Sequence, residues 1–280
     1  MLAYRHAFHA GNHADVLKHV VLTQVLAHMG HKDKPYRLID THAGAGGYSL
    51  GSAEAKKKGE FEQGIARIWT RKDAPAAVAD YLACVRAFNP GGGLGRYPGS
   101  PEFARQLLRP SDELRLFELH PTDVRILAQH HGTRPHTEVI HGDGFAGLKS
   151  MLPPPSRRGV VLMDPSYELK SDYAKVVGAV REALQRFAEA VIVIWYPQVN
   201  RLESAELPRR LKAIAPKGWL HARLTVQAPD AQGFGLAGSG MFVINPPWTL
   251  HASLKDALPW LRDALAQVDN ASHVLEQKAV

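Results

Sequence analysis

Cysteine is almost missing from this 280-residue chain: Cys84 stands alone. One thiol excludes an internal disulfide framework and any multi-cysteine zinc site. Long apolar runs are missing too; the most apolar stretch, Ala190 to Trp195, has the length of a strand, so no membrane span and no membrane partner are expected. No secretory signature opens the sequence, and the expectation is a soluble protein of a reducing cytoplasm. Two phosphate-binding signatures also fail. In the loop Thr41-His42-Ala43-Gly44-Ala45-Gly46-Gly47, Gly44 and Gly46 fit the first two glycines of G-x-G-x-x-G, but Ser49 stands at the third, and no G-K-[ST] follows. A dinucleotide dehydrogenase and a P-loop enzyme are disfavoured.

Positive charge is what the chain has in surplus. Thirty-four Lys and Arg against 27 Asp and Glu leave a formal +7, and 15 histidines can add to it in mild acid. Such a surplus favours a polyanionic partner, and motifs must decide which. The length suits about two domains, or one domain with a sizeable insertion.

The spacing of Ala14, Val16, Leu17, Val20, Val21, Val25 and Leu26 predicts a helix, with Asn12 or Asp15 near its start as a cap. Before it lies a basic, aromatic arm, Tyr4 to His13, too polar for a core. Four strand-like runs then end in acids: Pro35 to Asp40, Leu114 to Glu118, Thr137 to Asp143 and Gly159 to Asp164. Helical patterns separate the later ones, which argues for an α/β fold with a mostly parallel sheet. The runs His221 to Gln227 and Met241 to Asn245 have no helix between them and read as an antiparallel edge region. Residues about 50 to 96 exceed what a strand-helix-strand unit needs and carry two helical patterns, so they read as a helical insertion.

In an open α/β sheet, ligands collect beyond the carboxyl ends of the strands. There the chain offers Asp40 with the glycine loop, Glu118, Asp143 with Gly144, and Asp164. Small residues with acids and few cations suit an adenosine bearing a positive sulfonium, that is S-adenosylmethionine, better than a pyrophosphate. Glu118 can accept both ribose hydroxyl protons and Asp143 the adenine amino group, although a lone acid at a strand end is more often a cap or turn residue. The tetrapeptide Asp164-Pro165-Ser166-Tyr167 carries the sharpest signal. An exocyclic amine on adenine is a poor nucleophile, and a carboxylate plus the Pro165 carbonyl can accept its hydrogens and aim its lone pair. Tyr167 can stack on an extruded base. Asn245-Pro246-Pro247-Trp248 fits the general pattern of such a motif better, letter for letter. It closes the last strand of the antiparallel tail, however, on the far side of Val160 to Met163 from the cofactor loop, and reads as a structural turn, with a place on the rim as the alternative. Lys18 and His19 sit where a cofactor or an RNA phosphate is within reach. His9 and His13 lack a third metal ligand, and Cys84 lacks the setting of a covalent nucleophile, so neither metal nor thiol chemistry is expected.

Several blocks together closely resemble one family. Tyr4 to His19, Asp40 to Gly46, Tyr97-Pro98-Gly99-Ser100-Pro101, Glu118-Leu119-His120-Pro121 and Asn245 to Trp248 are similar to the RlmJ family of bacterial 23S ribosomal RNA adenine-N6 methyltransferases. The resemblance implies a Rossmann-like class I methyltransferase: a seven-stranded, mostly parallel sheet with helices on both faces and an antiparallel final strand. It implies one domain over 1–280, with an arm at 1–13 and the insertion. S-adenosylmethionine is the implied donor, leaving S-adenosylhomocysteine, with contacts at His19, His42, Gly44, Gly46, Ser100, Glu118, Asp143, Gly144 and Asp164. Catalysis is implied at Asp164, with Pro165 and Tyr167 completing the motif, and substrate roles at Tyr4, His6, Lys18 and Tyr167. Unassembled 23S ribosomal RNA is the implied partner, and a monomer the implied state. One departure stands out, because the family motif is D-P-P-Y and Ser166 takes the place of its second proline. On the residues alone, a DNA adenine methyltransferase, a glutamine-N5 protein methyltransferase and an RNA-binding module with an inactive pocket remain open.

Overall fold

The computed structural model describes residues 6–215, 217–228 and 235–278. The chain starts with a short 3-10 turn, His6–Phe8, and helix α1, His13–Gly30. Asn12 caps α1, its side chain accepting from the amides of Ala14 and Asp15. Strand β1 (Arg37–Asp40) leads through the glycine loop into β2 (Gly47–Ser49). The helices α2 (Ala53–Lys58), α3 (Ile65–Ile68) and α4 (Ala76–Ala87) precede β3 (Arg96–Pro98) and α5 (Ser100–Leu107). Alternation follows: β4 (Glu113–Glu118), α6 (Pro121–His131), β5 (Thr137–His141), α7 (Gly144–Met151), β6 (Gly159–Met163), α8 (Lys170–Arg186), β7 (Val191–Gln198) and α9 (Leu202–Ile214). The chain ends with β8 (Trp219–Thr225), β9 (Gly238–Ile244), α10 (Leu250–Leu265) and β10 (Ser272–Lys278).

The main sheet runs β10-β8-β9-β7-β6-β1-β4-β5. The five strands from β7 to β5 are mutually parallel, and β9, β8 and β10 are each antiparallel to their neighbours. The sheet is thus mostly parallel with a reversed edge, as expected, but it has eight strands rather than seven. The extra one, β10, is a largely exposed edge strand whose sequence, SHVLEQK, has no sustained apolar alternation to announce it.

Two-residue alternation sends side chains to two cores. Leu38, Leu114, Leu116, Val160 and Leu162 join α1, α4 and α10 on one face. Ile39, Val161, Met163, Ile192 and Ile194 join α8 and α9 on the other. Helix α1 is buried almost all round because the inserted helices wrap its outer side: Ile65, Ile68, Val78, Tyr81 and Val85 share its core. The insertion is helical, yet its core is continuous with that of α1. Its neck is closed by the β2–β3 ladder, where Tyr48 pairs with Tyr97.

Strand β1 pairs with β4 on one side and β6 on the other, so chain direction across the sheet reverses there. The crevice beyond the carboxyl ends of β1, β4, β5 and β6 is where such a fold places its ligand.

Candidate active site

A cavity of about 300 Å³ fills that crevice. His42, Gly44, Ser100, Glu118, Asp143, Gly144 and Asp164 all line it, so most residues expected at a cofactor site converge. Gly44 has φ +63°, and a β-carbon there would collide with the Tyr48 hydroxyl. Its amide donates to Glu118 Oε2 at 2.8 Å, while the His120 amide donates to Oε1 at 2.6 Å. Glu118 is therefore held by two backbone groups, one from the glycine loop and one from the loop that follows β4. Gly144 meets the β1 loop so closely that a β-carbon would overlap the Thr41 carbonyl. Asp143 caps α7, its Oδ1 accepting from Phe145 N at 2.9 Å and Ala146 N at 3.3 Å. The capping role and the expected ligand role coexist, since Oδ2 takes no part in the cap.

Asp40, at the end of β1, organises the crevice from beneath. It is 1% exposed; its Oδ2 accepts from Ser100 Oγ at 2.6 Å and its Oδ1 from His42 N at 3.2 Å. Burial pushes its carboxyl up to about 6, against the pull of those two hydrogen bonds. Burial pushes the His42 imidazole down to about 4 despite the carboxylates of Asp164 and Asp143, leaving a neutral ring at pH 7, edge-on to Phe145 with 4.8 Å between centroids.

At the end of β6, the Asp164 carboxylate meets a chain of charges from α1. Lys18 Nζ lies 2.6 Å from Asp164 Oδ2 and 2.7 Å from Asp15 Oδ1. Asp15 Oδ2 accepts from Gly11 N at 2.9 Å and lies 2.9 Å from His6 Nε2. Burial alone would weaken the Lys18 ammonium, but Asp15 and Asp164 outweigh it and hold its pKa above the ordinary value. Burial would likewise raise Asp15, yet His6 and Lys18 hold it well below the usual carboxylate range. Asp164 Oδ1 makes no hydrogen bond among the described residues.

A second cavity, of about 520 Å³, opens on the other side of this junction. His6, Lys18, Asp164 and Ser166 line both spaces, and Trp195 and Arg201 line the second. Asp164 thus stands in the wall between two cavities.

Four expectations need correction and one cannot be placed. His19 is fully buried behind Lys18, its Nδ1 2.8 Å from the Tyr97 hydroxyl and its ring stacked on Phe103 at 4.5 Å. It does not line the crevice, because α1 is covered on the side His19 faces. Gly46 is also a packing residue: it has φ +83°, a β-carbon there would press on the His131 ring, and its carbonyl accepts from Gly99 N at 3.0 Å. Tyr167 is among the residues lining the second cavity, but its ring is not an open stacking platform. Its φ of +52° turns the ring inward, where it is 3% exposed beside Tyr173, and its hydroxyl donates to the Trp195 carbonyl at 2.8 Å. The main sheet has eight strands where seven are expected. Tyr4 lies outside the described residues.

Asn245-Pro246-Pro247-Trp248 falls at the opposite end of the sheet. Strand β9 runs against β7, with Ile244 paired to Ile192, so the turn after β9 sits at the amino ends of the parallel strands. Asn245 has φ +51° and donates to the carbonyls of Ala188 and Ala190 at 2.8 and 2.9 Å, as a turn residue does. Asp15, Trp195 and Arg201 were missed. Asp15 was read only as a cap, and the other two carry no motif. His13, once paired with His9 as a metal candidate, is buried, while His9 Nδ1 sits 2.9 Å from Glu60 Oε2.

Comparison with known proteins agrees with this geometry. The family model described as ribosomal RNA large subunit methyltransferase D, RlmJ, matches residues 33–276. Ribosomal RNA large subunit methyltransferase J of Escherichia coli (strain K12) is 47% identical over 265 residues, covering 95% of this chain and 94% of that protein. Its namesake in Haemophilus influenzae is 44% identical over 277 residues, covering 99% of this chain and 98% of that one. The solved structure of protein LPL1258 from Legionella pneumophila, described as a DUF519 member, superposes with a TM-score of 0.88 at 35% identity, covering 96% of this chain and 98% of that chain. With a family model spanning most of its length and two relatives matched over nearly all of theirs, the chain belongs to the RlmJ family of ribosomal RNA large subunit methyltransferases.

Proposed function

We propose that this protein methylates the exocyclic N6 amine of an adenine in unassembled 23S ribosomal RNA, with S-adenosylmethionine as the donor. The observation that carries the reading is the position of Asp164, in the wall shared by two cavities, one suited to a donor and one open to a substrate.

The crevice fits the donor chemically. Its lining has the carboxylates of Glu118, Asp123, Asp143, Asp164, Glu168 and Asp172 but only two ammonium groups, Lys18 and Lys175. Such a lining favours a ligand with net positive charge and repels a polyphosphate. Glu118, already oriented by two amides, has lone pairs left for vicinal ribose hydroxyls, and Asp143 Oδ2 has them for an adenine amino group. S-adenosylmethionine would supply the methyl group as an electrophile on a positively charged sulfur.

The chain's own residues must then manage the amine. The nitrogen's lone pair is conjugated with the purine ring, so N–H acceptors that favour a pyramidal nitrogen expose it for attack. Asp164 Oδ1 and the Pro165 carbonyl are suited to that task, while Lys18 fixes the carboxylate by its other oxygen. After transfer the nitrogen sheds a proton, and Asp164 is the nearest acceptor. His6 and Lys18, facing both cavities, are the residues for holding the incoming nucleotide, joined in this reading by Tyr4. An extruded base is required, because N6 is out of reach inside a stacked helix.

The test is methyl transfer from labelled S-adenosylmethionine to protein-free 23S ribosomal RNA, followed by digestion to nucleosides. Label in N6-methyladenosine is expected. Label in another nucleoside, transfer to matched DNA in preference to RNA, or transfer to a glutamine side chain overturns the reading.

A further inference from the structure

The turn that aims Asp164 and the Pro165 carbonyl lacks an internal brace. Ser166 follows Pro165, so no second ring fixes φ at that position. The next residue, Tyr167, holds a left-handed conformation, with φ +52°. A bulky residue stays there only when its surroundings hold it. Two contacts do so. The Tyr167 hydroxyl donates to the Trp195 carbonyl at 2.8 Å. From the loop between β7 and α9, Arg201 Nη1 donates to the Tyr167 carbonyl at 2.9 Å and to the Glu168 carbonyl at 3.2 Å.

Resting on the function proposed above, we infer that Arg201 is a positioning residue for methyl transfer, bracing from outside a turn that no second proline braces from within. Three features carry it. Arg201 makes no ion pair with a carboxylate among the described residues, so its fixed contacts in the fold are to this turn. Both carbonyls bond to its Nη1, whose two N–H groups are fixed in the guanidinium plane, whereas an ammonium on a flexible stem would have to be ordered to reach them. It also lines the second cavity, so the brace sits beside the space assigned to substrate. The Ser166 amide donates to no acceptor among the described residues, so a proline there forfeits no hydrogen bond.

The test is a pair of double-mutant cycles on the full chain, read as kcat and KM with protein-free 23S ribosomal RNA at saturating S-adenosylmethionine. Arg201→Ala is expected to lower kcat by about tenfold or more, as small misplacements of reacting groups do. Donor affinity and melting temperature should stay close to the parent's, and Arg201→Lys should recover only part of the loss. In the Arg201→Ala background, Ser166→Pro should restore most of kcat, and Ser166→Gly, which loosens the turn further, should cost more than it costs the parent. The Gly cycle keeps the inference falsifiable if the proline variant does not fold. Additive effects in both cycles overturn it. So does a loss confined to the KM for RNA and sensitive to salt, which marks Arg201 as a phosphate anchor only. If the unsubstituted protein does not methylate adenine N6, the functional reading fails and the inference with it; an active parent with unchanged Arg201 variants sinks the inference alone.

Discussion

Replacing Lys18 by Met keeps the aliphatic stem and removes the ammonium that joins Asp15 to Asp164. The Lys18 side chain is 5% exposed, that of Asp15 2% and that of Asp164 15%. Removing one partner of a buried pair leaves an uncompensated charge and typically costs about 3 to 5 kcal/mol. Most of that loss should come from Asp15, which water reaches least. The pH dependence has a definite sign. In the parent, the raised Lys18 pKa adds stability that is complete below about 10.5 and lost as pH rises beyond it. The depressed Asp15 pKa adds stability that is present above about 3.8 and lost as pH falls below it. Neither contribution changes between pH 5 and 8. In Lys18→Met, Asp15 keeps His6 and the Gly11 amide but loses the Lys18 ammonium, so its carboxyl rises from its depressed parent value. Asp40, pushed up to about 6 by its own burial, loses the downward pull of Lys18 in the variant, so its carboxyl rises further. The native state then takes up that proton before the unfolded state does, and the variant's deficit narrows as pH falls. Urea unfolding followed by circular dichroism at pH 8, 6.5 and 5 should therefore show a deficit of about 3 kcal/mol or more at pH 8 that narrows towards pH 5. A deficit below about 1 kcal/mol at pH 8, or one that does not change with pH, refutes the buried-charge argument.

Glu118→Gln keeps the shape but replaces one of two amide-bound oxygens with a donor, facing Gly44 N or His120 N. Calorimetry should show S-adenosylmethionine affinity falling by about tenfold, the equivalent of one charge-assisted hydrogen bond, and an unchanged affinity argues against Glu118 as the ribose acceptor. Trp248→Ala should leave methyl transfer unchanged and alter stability by less than about 0.5 kcal/mol, since the ring is 84% exposed at the far end of the sheet. A large loss of transfer would mean that the second proline-aromatic turn takes part in function after all.

The inner strands β1, β6 and β7 were legible in the sequence because parallel strands buried on both faces read as short apolar runs. Strands β4 and β5, only partly buried towards the edge, showed mainly through their β-branched and apolar residues and the acids that follow them. Asp164, Glu118, Asp143 and Gly144 follow from the rule that ligands collect beyond the carboxyl ends of such strands. Helix α1 was legible as a helix but not as a buried one, because what covers it is the inserted segment, joined to it only by folding. Strand β10 escaped notice because an exposed edge needs no apolar stripe. His19 and Tyr167 were assigned outward roles from their neighbours in sequence, whereas rotation about α1 and one positive φ turn both rings inward. The contacts of Lys18 with Asp164 and of Arg201 with Tyr167 join distant parts of the chain, and no local pattern records them.

The central claim is that the Asp164 carboxylate prepares the amine for transfer, and Asp164→Asn tests it most directly. The amide keeps the size of the side chain but exchanges one acceptor for a donor. Single-turnover methylation of protein-free 23S ribosomal RNA should slow by about a hundredfold or more, while the protein stays folded by circular dichroism and still binds S-adenosylmethionine. Transfer at the parent's rate by a folded, donor-bound Asp164→Asn protein would contradict the account.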